Sequence, residues 1–171
     1  MLCPPQADRT ATRMTAMHAD YGLVPAETLK SMSGRELLDA MRRGELPAPP
    51  IMRTLDFDLV EVDEGRVVFE GRPSLMHYNP IGTVHAGFAA TLLDSAMACA
   101  VHAICEKGRG YTTLEFKINL VRAITEATGP VRAEGVVLQA GRRVSTAEGR
   151  LLDGAGRLLA HASTTCLMLD L

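Results

Sequence analysis

A long apolar segment near the middle of the chain places the strongest limit on its fold. Residues Ala86 to Ile104 are rich in alanine and too long for one strand, so they predict a helix. A helix with apolar side chains around nearly all of its surface needs to be covered on several sides. Its alanines allow neighbouring strands to approach closely. We therefore expect a sheet that wraps around this helix instead of supporting one face of it.

Segments with the alternation of strands lie on both sides of this helix. Before it, residues 55–62 and 66–71 flank the turn Asp63-Glu64-Gly65, which predicts a hairpin. After it, four alternating segments predict an antiparallel meander: residues 111–121, 131–139, 143–152 and 157–169. The pattern predicts an α+β fold with one long central helix wrapped by a curved antiparallel sheet of about six strands.

The first part of the chain has a different character. Residues 1 to about 25 show no clear periodicity and are expected to be mobile or loosely attached. Ser33 to Glu36 has the spacing of a capping box, so we expect a short helix that ends near Gly44. Residues 47–50, Pro-Ala-Pro-Pro, predict an extended linker. We therefore divide the chain into an N-terminal extension, residues 1–50, and a main domain, residues 51–171.

Composition excludes several classes of function. The chain has 18 Lys and Arg against 20 Asp and Glu, and this balance gives no electrostatic case for binding nucleic acid or an anionic membrane. The four cysteines have no zinc-binding spacing, so we expect no metal and no cofactor. No secretory signal is visible in residues 1–22, and the expected location is the cytoplasm.

The residues that lead into the long helix carry the signal for chemistry. Asn79-Pro80 with Gly82 marks a turn, and Gly82, His85 and Gly87 crowd the start of the helix. Free backbone N–H groups and the positive end of the helix dipole can polarise a carbonyl there. Asp94 lies further along in apolar surroundings, where an unpaired carboxylate is costly. A structural hydrogen bond and a catalytic role both explain Asp94, and the preceding residues favour catalysis.

These residues resemble a known family. The pattern Asn79-x-x-Gly82-x-x-His85-x-Gly87, followed by Thr91-Leu-x-Asp94, is similar to the hotdog-fold acyl-CoA thioesterases of the PaaI-like group. Further similarity lies in Thr112 to Asn119, Gly141-Arg142 and Asp153 to Gly156, and the resemblance covers about residues 51–169. It implies the hotdog fold and hydrolysis of an acyl-CoA to a free acid and coenzyme A.

The resemblance also implies roles for single residues. Asp94 would act as general base on water or as nucleophile, and the Ala86 N–H would polarise the thioester carbonyl. Asn79 would position water or the thioester, and Thr113 would orient water. The site would be shared across a homodimer, so that Asn79 and Asp94 come from different subunits, and two dimers would form a homotetramer. Relatives usually have Gly where this chain has Ala86, and often Arg-Pro where it has Arg122-Ala123.

Several polar residues near these motifs have two interpretations. Gly82, His85 and Gly87 are candidates for substrate binding, although His85 is expected to order the turn through a side-chain hydrogen bond. Arg142 and Arg143 lie beside a glycine and have two interpretations: they bind the phosphates of coenzyme A, or they are a solvated pair on an edge strand. The other histidines have structural interpretations: His102 is expected in the core or an interface, and His77 and His161 are expected on the surface or at a strand edge.

Two other functions remain open at this point. One is a hotdog dehydratase or hydratase on acyl thioesters, with His85 and Asp94 as acid and base. The other is a non-catalytic module that binds or senses acyl-CoA. Motifs of serine hydrolases, P-loop enzymes and dinucleotide-binding proteins do not occur in the sequence.

Overall fold

The structure, a computed structural model, describes residues 20–171 and consists of one long helix inside a curved six-stranded sheet. The helices are α1 (Ala26–Ser31), α2 (Gly34–Arg42), α3 (Pro50–Thr54) and α4 (Ala86–Ala103), with short 3-10 turns at Leu75–His77 and Glu126–Thr128. The strands are β1 (Phe57–Asp63), β2 (Arg66–Gly71), β3 (Arg109–Leu120), β4 (Val131–Gln139), β5 (Val144–Asp153) and β6 (Leu158–Asp170). The α+β hotdog architecture is confirmed.

The order of the strands differs from the predicted meander in one respect. All neighbours are antiparallel, and the order across the sheet is β1-β2-β4-β5-β6-β3. The last three strands form a meander, but β3 pairs with β6 at the far edge and not with β4. The reason is that α4 carries the chain away from β2, so that β3 begins on the opposite side of the helix.

Close packing between α4 and the sheet confirms the role expected for its small residues. A Cβ atom on Gly135 of β4 would lie 2.3 Å from the backbone of Ala96, and one on Gly149 of β5 would lie 2.9 Å from the Met97 side chain. The side chains of Leu92, Leu93 and Met97 are fully buried. By length and mean hydropathy, 1.3, α4 would also be able to span a membrane, but here most of it lies inside the sheet.

The described part of the N-terminal extension, from residue 20 onward, contains more structure than its sequence predicts. The predicted capping box is present, because Ser33 Oγ accepts the Glu36 N–H at 3.3 Å and Glu36 accepts the Ser33 N–H at 2.8 Å. Two further helices were not expected, and one of them, α3, begins within the predicted linker. Pro50 is its first residue, where the fixed φ of proline suits a helix start.

The start of the described region is also better attached than expected. Gly22 donates its N–H to the Ala48 carbonyl at 2.9 Å, and Ala48 donates to Asp20 at 3.1 Å, so these residues are tied to the linker. The expectation of mobility for residues 1–19 lies outside the described residues.

Helix α2 closes the C-terminal end of α4. The Gly34 N–H donates to the Cys105 carbonyl at 2.9 Å, just beyond the last turn of α4. A Cβ atom on Gly34 would lie 1.8 Å from the carbonyl oxygen of His102, so the two backbones are in direct contact. Leu37 and Leu38 of α2 are buried. Helix α2 therefore packs as part of the main domain.

We expect Gly34→Ala to destabilise the protein. The added methyl group would displace α2 from α4, and overpacking of this kind costs about 2 kcal/mol in the free energy of unfolding. Chemical denaturation measures the loss, with Gly154→Ala as the matched control because a Cβ atom there meets no atom within 4 Å. Equal stability of the two variants would contradict the observed contact.

Candidate functional site

The start of α4 presents an exposed hydrogen-bond donor that is unused within the described part of the chain. His85 is the N-cap residue, and its Nδ1 accepts the Gly87 N–H at 2.9 Å, which is the side-chain hydrogen bond expected from the sequence. The His85 N–H donates to the His77 carbonyl at 2.7 Å. Ala86 is exposed, and its N–H makes no hydrogen bond within residues 20–171. This N–H lies at the positive end of the helix dipole and can bind a carbonyl oxygen.

Asn79 holds the turn that precedes the helix. Its Oδ1 accepts the N–H groups of Ile81 and Thr83 at 3.1 and 3.2 Å, and its Nδ2 donates to Thr83 Oγ1 at 2.9 Å. Gly82 has a φ of 85°, a conformation that favours glycine. An amide nitrogen carries two hydrogens, so one N–H of Asn79 remains for another ligand. Asn79 and Gly82 therefore stabilise the turn, and their contact with substrate stays a prediction.

A cleft lies between this turn and the end of β3. It has a volume of about 320 Å³, and Asn79, His85 and Ala86 lie among its lining residues. Most of the other lining residues are apolar: Ile81, Val84, Ala89, Leu120, Val121, Ala123 and Ile124. The cleft therefore combines apolar walls with the free Ala86 N–H.

Asp94 is half-buried on α4, and within residues 20–171 its carboxylate has one hydrogen-bond partner. Thr113 Oγ1, from β3, donates to Asp94 Oδ1 at 3.1 Å, so the structure brings together two of the predicted catalytic residues. Burial raises the pKa of Asp94, and the hydrogen bond from Thr113 has the smaller, opposite effect. A carboxylate with a raised pKa accepts a proton more readily, so it is a better general base than a carboxylate with the ordinary pKa.

Within one chain, Asp94 and the cleft lie apart. Ala86 and Asp94 are eight residues apart on α4, which corresponds to about 12 Å along the helix axis. Thr113 and Leu120 are seven residues apart on β3, or about 24 Å. A single thioester carbonyl therefore cannot contact both the Ala86 N–H and the Asp94 carboxylate of the same chain.

The two arginines of the β4–β5 turn lie at the Asp94 end of the sheet. Arg142 and Arg143 are exposed, and their side chains have no partner in the described part of the chain. Val144, the next residue, pairs with Leu167, which pairs with Thr112 of β3. The arginines are therefore about two strand spacings, roughly 10 Å, from the start of β3.

The histidines agree with prediction except for one. His102 packs against Tyr111 with ring centres 5.3 Å apart, and His161 is exposed on β6, as expected. His77 was expected at the surface, but its side chain is buried and lies on the Phe88 ring. Ser74 and His77 have the spacing of an N-cap residue and its partner, which indicates their local hydrogen bond but not the burial of the ring.

Comparisons with known proteins agree with this fold. The family model described as Thioesterase superfamily matches residues 81–160. No match was found among curated protein sequences.

Solved structures provide closer relatives. A phenylacetic acid degradation-related protein from Ralstonia eutropha JMP134 has 30% identity, a TM-score of 0.69, and 76% of this chain and 98% of that chain covered. A mutant of the phenylacetic acid degradation protein PaaI from Thermus thermophilus has 26% identity and a TM-score of 0.63. The match covers 69% of this chain and 97% of that chain. A thioesterase family protein from Silicibacter pomeroyi shares the fold, with 24% identity, a TM-score of 0.70, and 81% and 99% covered.

One long helix wrapped by a curved antiparallel sheet, with a free N–H at the helix start, defines a hotdog-fold protein of thioesterase type. The chain belongs to the thioesterase superfamily, in its PaaI-like group. The family and the neighbouring structures support an enzyme that hydrolyses thioesters.

We expect Thr113→Val to raise the pKa of Asp94 further. The substitution removes the hydroxyl that donates to the carboxylate, while burial, which raises the pKa, remains. A ¹³C NMR titration of the Asp94 carboxyl carbon measures the change. Thr146→Val is the control, because the Thr146 hydroxyl makes no hydrogen bond in the described residues. An unchanged or lower pKa in Thr113→Val would show that the hydrogen bond is absent in solution.

Proposed function

We propose that the chain hydrolyses acyl-CoA thioesters to a carboxylic acid and coenzyme A. One observation carries the proposal: a half-buried carboxylate with a raised pKa and a free helix-start N–H occur on the same helix of a thioesterase fold. A thioester carbonyl is electrophilic enough for a base and a polarised oxygen to suffice.

The reaction follows from these two groups. The thioester oxygen accepts the Ala86 N–H, which stabilises the negative charge that develops on this oxygen. Asp94 takes a proton from water as the water oxygen attacks the carbonyl carbon, and Thr113 holds the carboxylate in place. The tetrahedral intermediate then expels the coenzyme A thiolate, which accepts the proton from Asp94 and so regenerates the base. The alternative is direct attack by Asp94 on the carbonyl carbon, which breaks the C–S bond, releases the thiolate and forms an anhydride; water then hydrolyses the anhydride and supplies the proton that the thiolate takes up.

The separation of the two groups supports a shared site in a homodimer. The edge strand β3 carries exposed apolar residues, and they continue just past its end: Leu114, Phe116, Leu120 and Val121. Antiparallel pairing of two β3 edges would bring the start of one strand to the end of the other. The Asn79 turn and Ala86 of one subunit would then face Asp94 and Thr113 of the second subunit. The homodimer is the proposed minimal active unit, and a homotetramer of two dimers is the assembly that the family resemblance implies.

The two exposed arginines support coenzyme A as the leaving group. Arg142 and Arg143 lie at the Asp94 end of the sheet, where the thiol side of a bound substrate would extend. Guanidinium groups bind phosphate oxygens with charge-assisted, often bidentate hydrogen bonds. The acyl-CoA is thus the proposed substrate, with its thioester at Ala86 and its phosphates near these side chains.

We expect Asp94→Asn to lose at least about 100-fold in kcat, because an essential base is removed. Thiol release from short, medium and aromatic acyl-CoAs measures the loss, and Glu148→Gln on the outer face of the sheet is the matched control. At pH values above the raised pKa of Asp94, the carboxylate is ionised, and its burial lowers the free energy of unfolding of the native protein. A neutral asparagine does not carry this cost, so Asp94→Asn should be at least as stable as the native protein. Unchanged activity would disprove the role of Asp94.

The native protein discriminates between the three functions under the same conditions. Thiol release supports the thioesterase. Tight acyl-CoA binding without release would favour a binding module, and addition of water to an enoyl-CoA would favour the hydratase.

We expect Ala86→Pro to lower kcat about 100-fold or more, because it removes the single proposed oxyanion donor. Proline suits the first position of a helix, and the extended conformation of His85 (φ −61°, ψ 141°) is compatible with a following proline. Ala86→Gly keeps the N–H and is the control that should stay active. Equal activity of the proline and glycine variants would show that this N–H is not used.

Hybrid dimers of Ala86→Pro and Asp94→Asn chains test the shared site. Each variant alone is expected to be inactive, but a hybrid dimer would contain one site with both substitutions and one site with neither. We expect the hybrid to regain about half of the native activity per dimer. Failure to regain activity would place both groups of one site on a single chain.

A further inference from the structure

His77 lies directly beneath the start of the central helix. Only 8% of its surface is exposed, although a histidine in a loop would ordinarily be solvated. Its ring stacks on Phe88, in the first turn of α4, with ring centres 4.7 Å apart and planes 29° apart. Phe88 is itself buried, next to Gly71 and Leu92. The histidine ring therefore belongs to the packing that supports the helix start.

Hydrogen bonds fix the orientation and the protonation of this ring. Nδ1 accepts the Ser74 N–H at 3.1 Å, which requires that Nδ1 carries no proton. The neutral ring then holds its proton on Nε2. Burial lowers the pKa of His77, and the charge of Asp56 acts in the opposite direction by less. A neutral ring suits this position, because a proton on Nδ1 would face the N–H of Ser74.

Two contacts of His77 reach α4 on either side of Ala86. Its carbonyl accepts the N–H of His85, the residue before Ala86, at 2.7 Å. Its ring contacts Phe88, two residues after Ala86. These contacts come from one residue that is itself anchored to Ser74. A shift of His77 would therefore move His85 and Phe88, which flank the Ala86 N–H, together.

We propose that His77 is a positioning residue that sets the direction of the Ala86 N–H toward the substrate carbonyl. This inference rests on the proposed thioesterase function. His77 does not touch the substrate, but it holds the backbone segment whose N–H does. A donor that is misaligned by a fraction of an ångström stabilises the developing oxyanion less, so the effect falls on kcat and leaves the affinity for the rest of the substrate unchanged.

Two substitutions separate the two contacts of the side chain. His77→Phe keeps an aromatic ring against Phe88 and removes the acceptor for Ser74. His77→Asn keeps an acceptor at the position of Nδ1 and removes the ring. We expect each variant to lower kcat about 10- to 100-fold with KM within about twofold of native. His161→Asn, at an exposed histidine of β6, is the matched control and should match the native enzyme.

A spectroscopic measurement reports the N–H direction itself. The probe is an acyl-CoA analogue in which a methylene group replaces the thioester sulfur, with a ¹³C-labelled carbonyl. A strong hydrogen bond from Ala86 lowers the carbonyl stretching frequency of the bound probe in the infrared spectrum. In both His77 variants we expect the probe to bind with native affinity and a smaller frequency shift.

The outcomes are distinguishable. Native kcat and a native frequency shift in both variants would overturn the positioning role and leave the proposed function intact. Loss of folding in both variants, seen by circular dichroism, would also overturn it, since His77 would then support the fold and not the donor. Native protein that releases no thiol from any acyl-CoA would overturn the proposed function and this inference together.

Discussion

The enclosure of α4 by the sheet is the constraint on which the rest of the structure depends. A helix with so few polar side chains cannot face water, and the sheet covers it only by curving around it. Gly135 and Ala96 make this possible, because the strand backbone lies against the helix backbone with no side chain between them. Helix α2 covers the C-terminal end in the same way, through Gly34. The part of α4 that remains open is the side next to β3, where Asp94 lies.

This enclosure also divides the chemistry between two places. The donor group lies at the exposed start of α4, and the carboxylate lies near its middle, beside an edge strand. Each group has the environment that its proposed role needs. The Ala86 N–H lies at the positive end of the helix dipole. Asp94 is buried enough for its pKa to rise, and the hydrogen bond from Thr113 holds the carboxylate in place. The two environments cannot exist at one point on a helix, which is a physical argument for the proposed site shared between two copies.

The sequence predicts the parts of the fold that depend on local periodicity. The central helix, the six strands and the hydrogen-bonding role of His85 follow from spacing, and so does the candidate carboxylate. The partner of β3 does not, because alternation identifies a strand but contains no information about its neighbour. Helix α3 was missed because five residues are too few for a helical period to be visible. His77 was misplaced because its burial depends on Phe88, which lies beyond the intervening turn and meets it only in the fold.

The two sides of α4 set different limits on how this sequence can diverge. On the side that faces β4 and β5, no larger residue fits, so Ala96, Gly135 and Gly149 can change only together. On the side that the chain itself leaves half-open, Ala90, Thr91 and Ser95 lie close to Asp94 in the sequence and are only half-buried. Descendants of this protein can therefore alter the surroundings of Asp94 while the fold stays constant. The same helix contains a constrained face for stability and a permissive face on which natural selection can act.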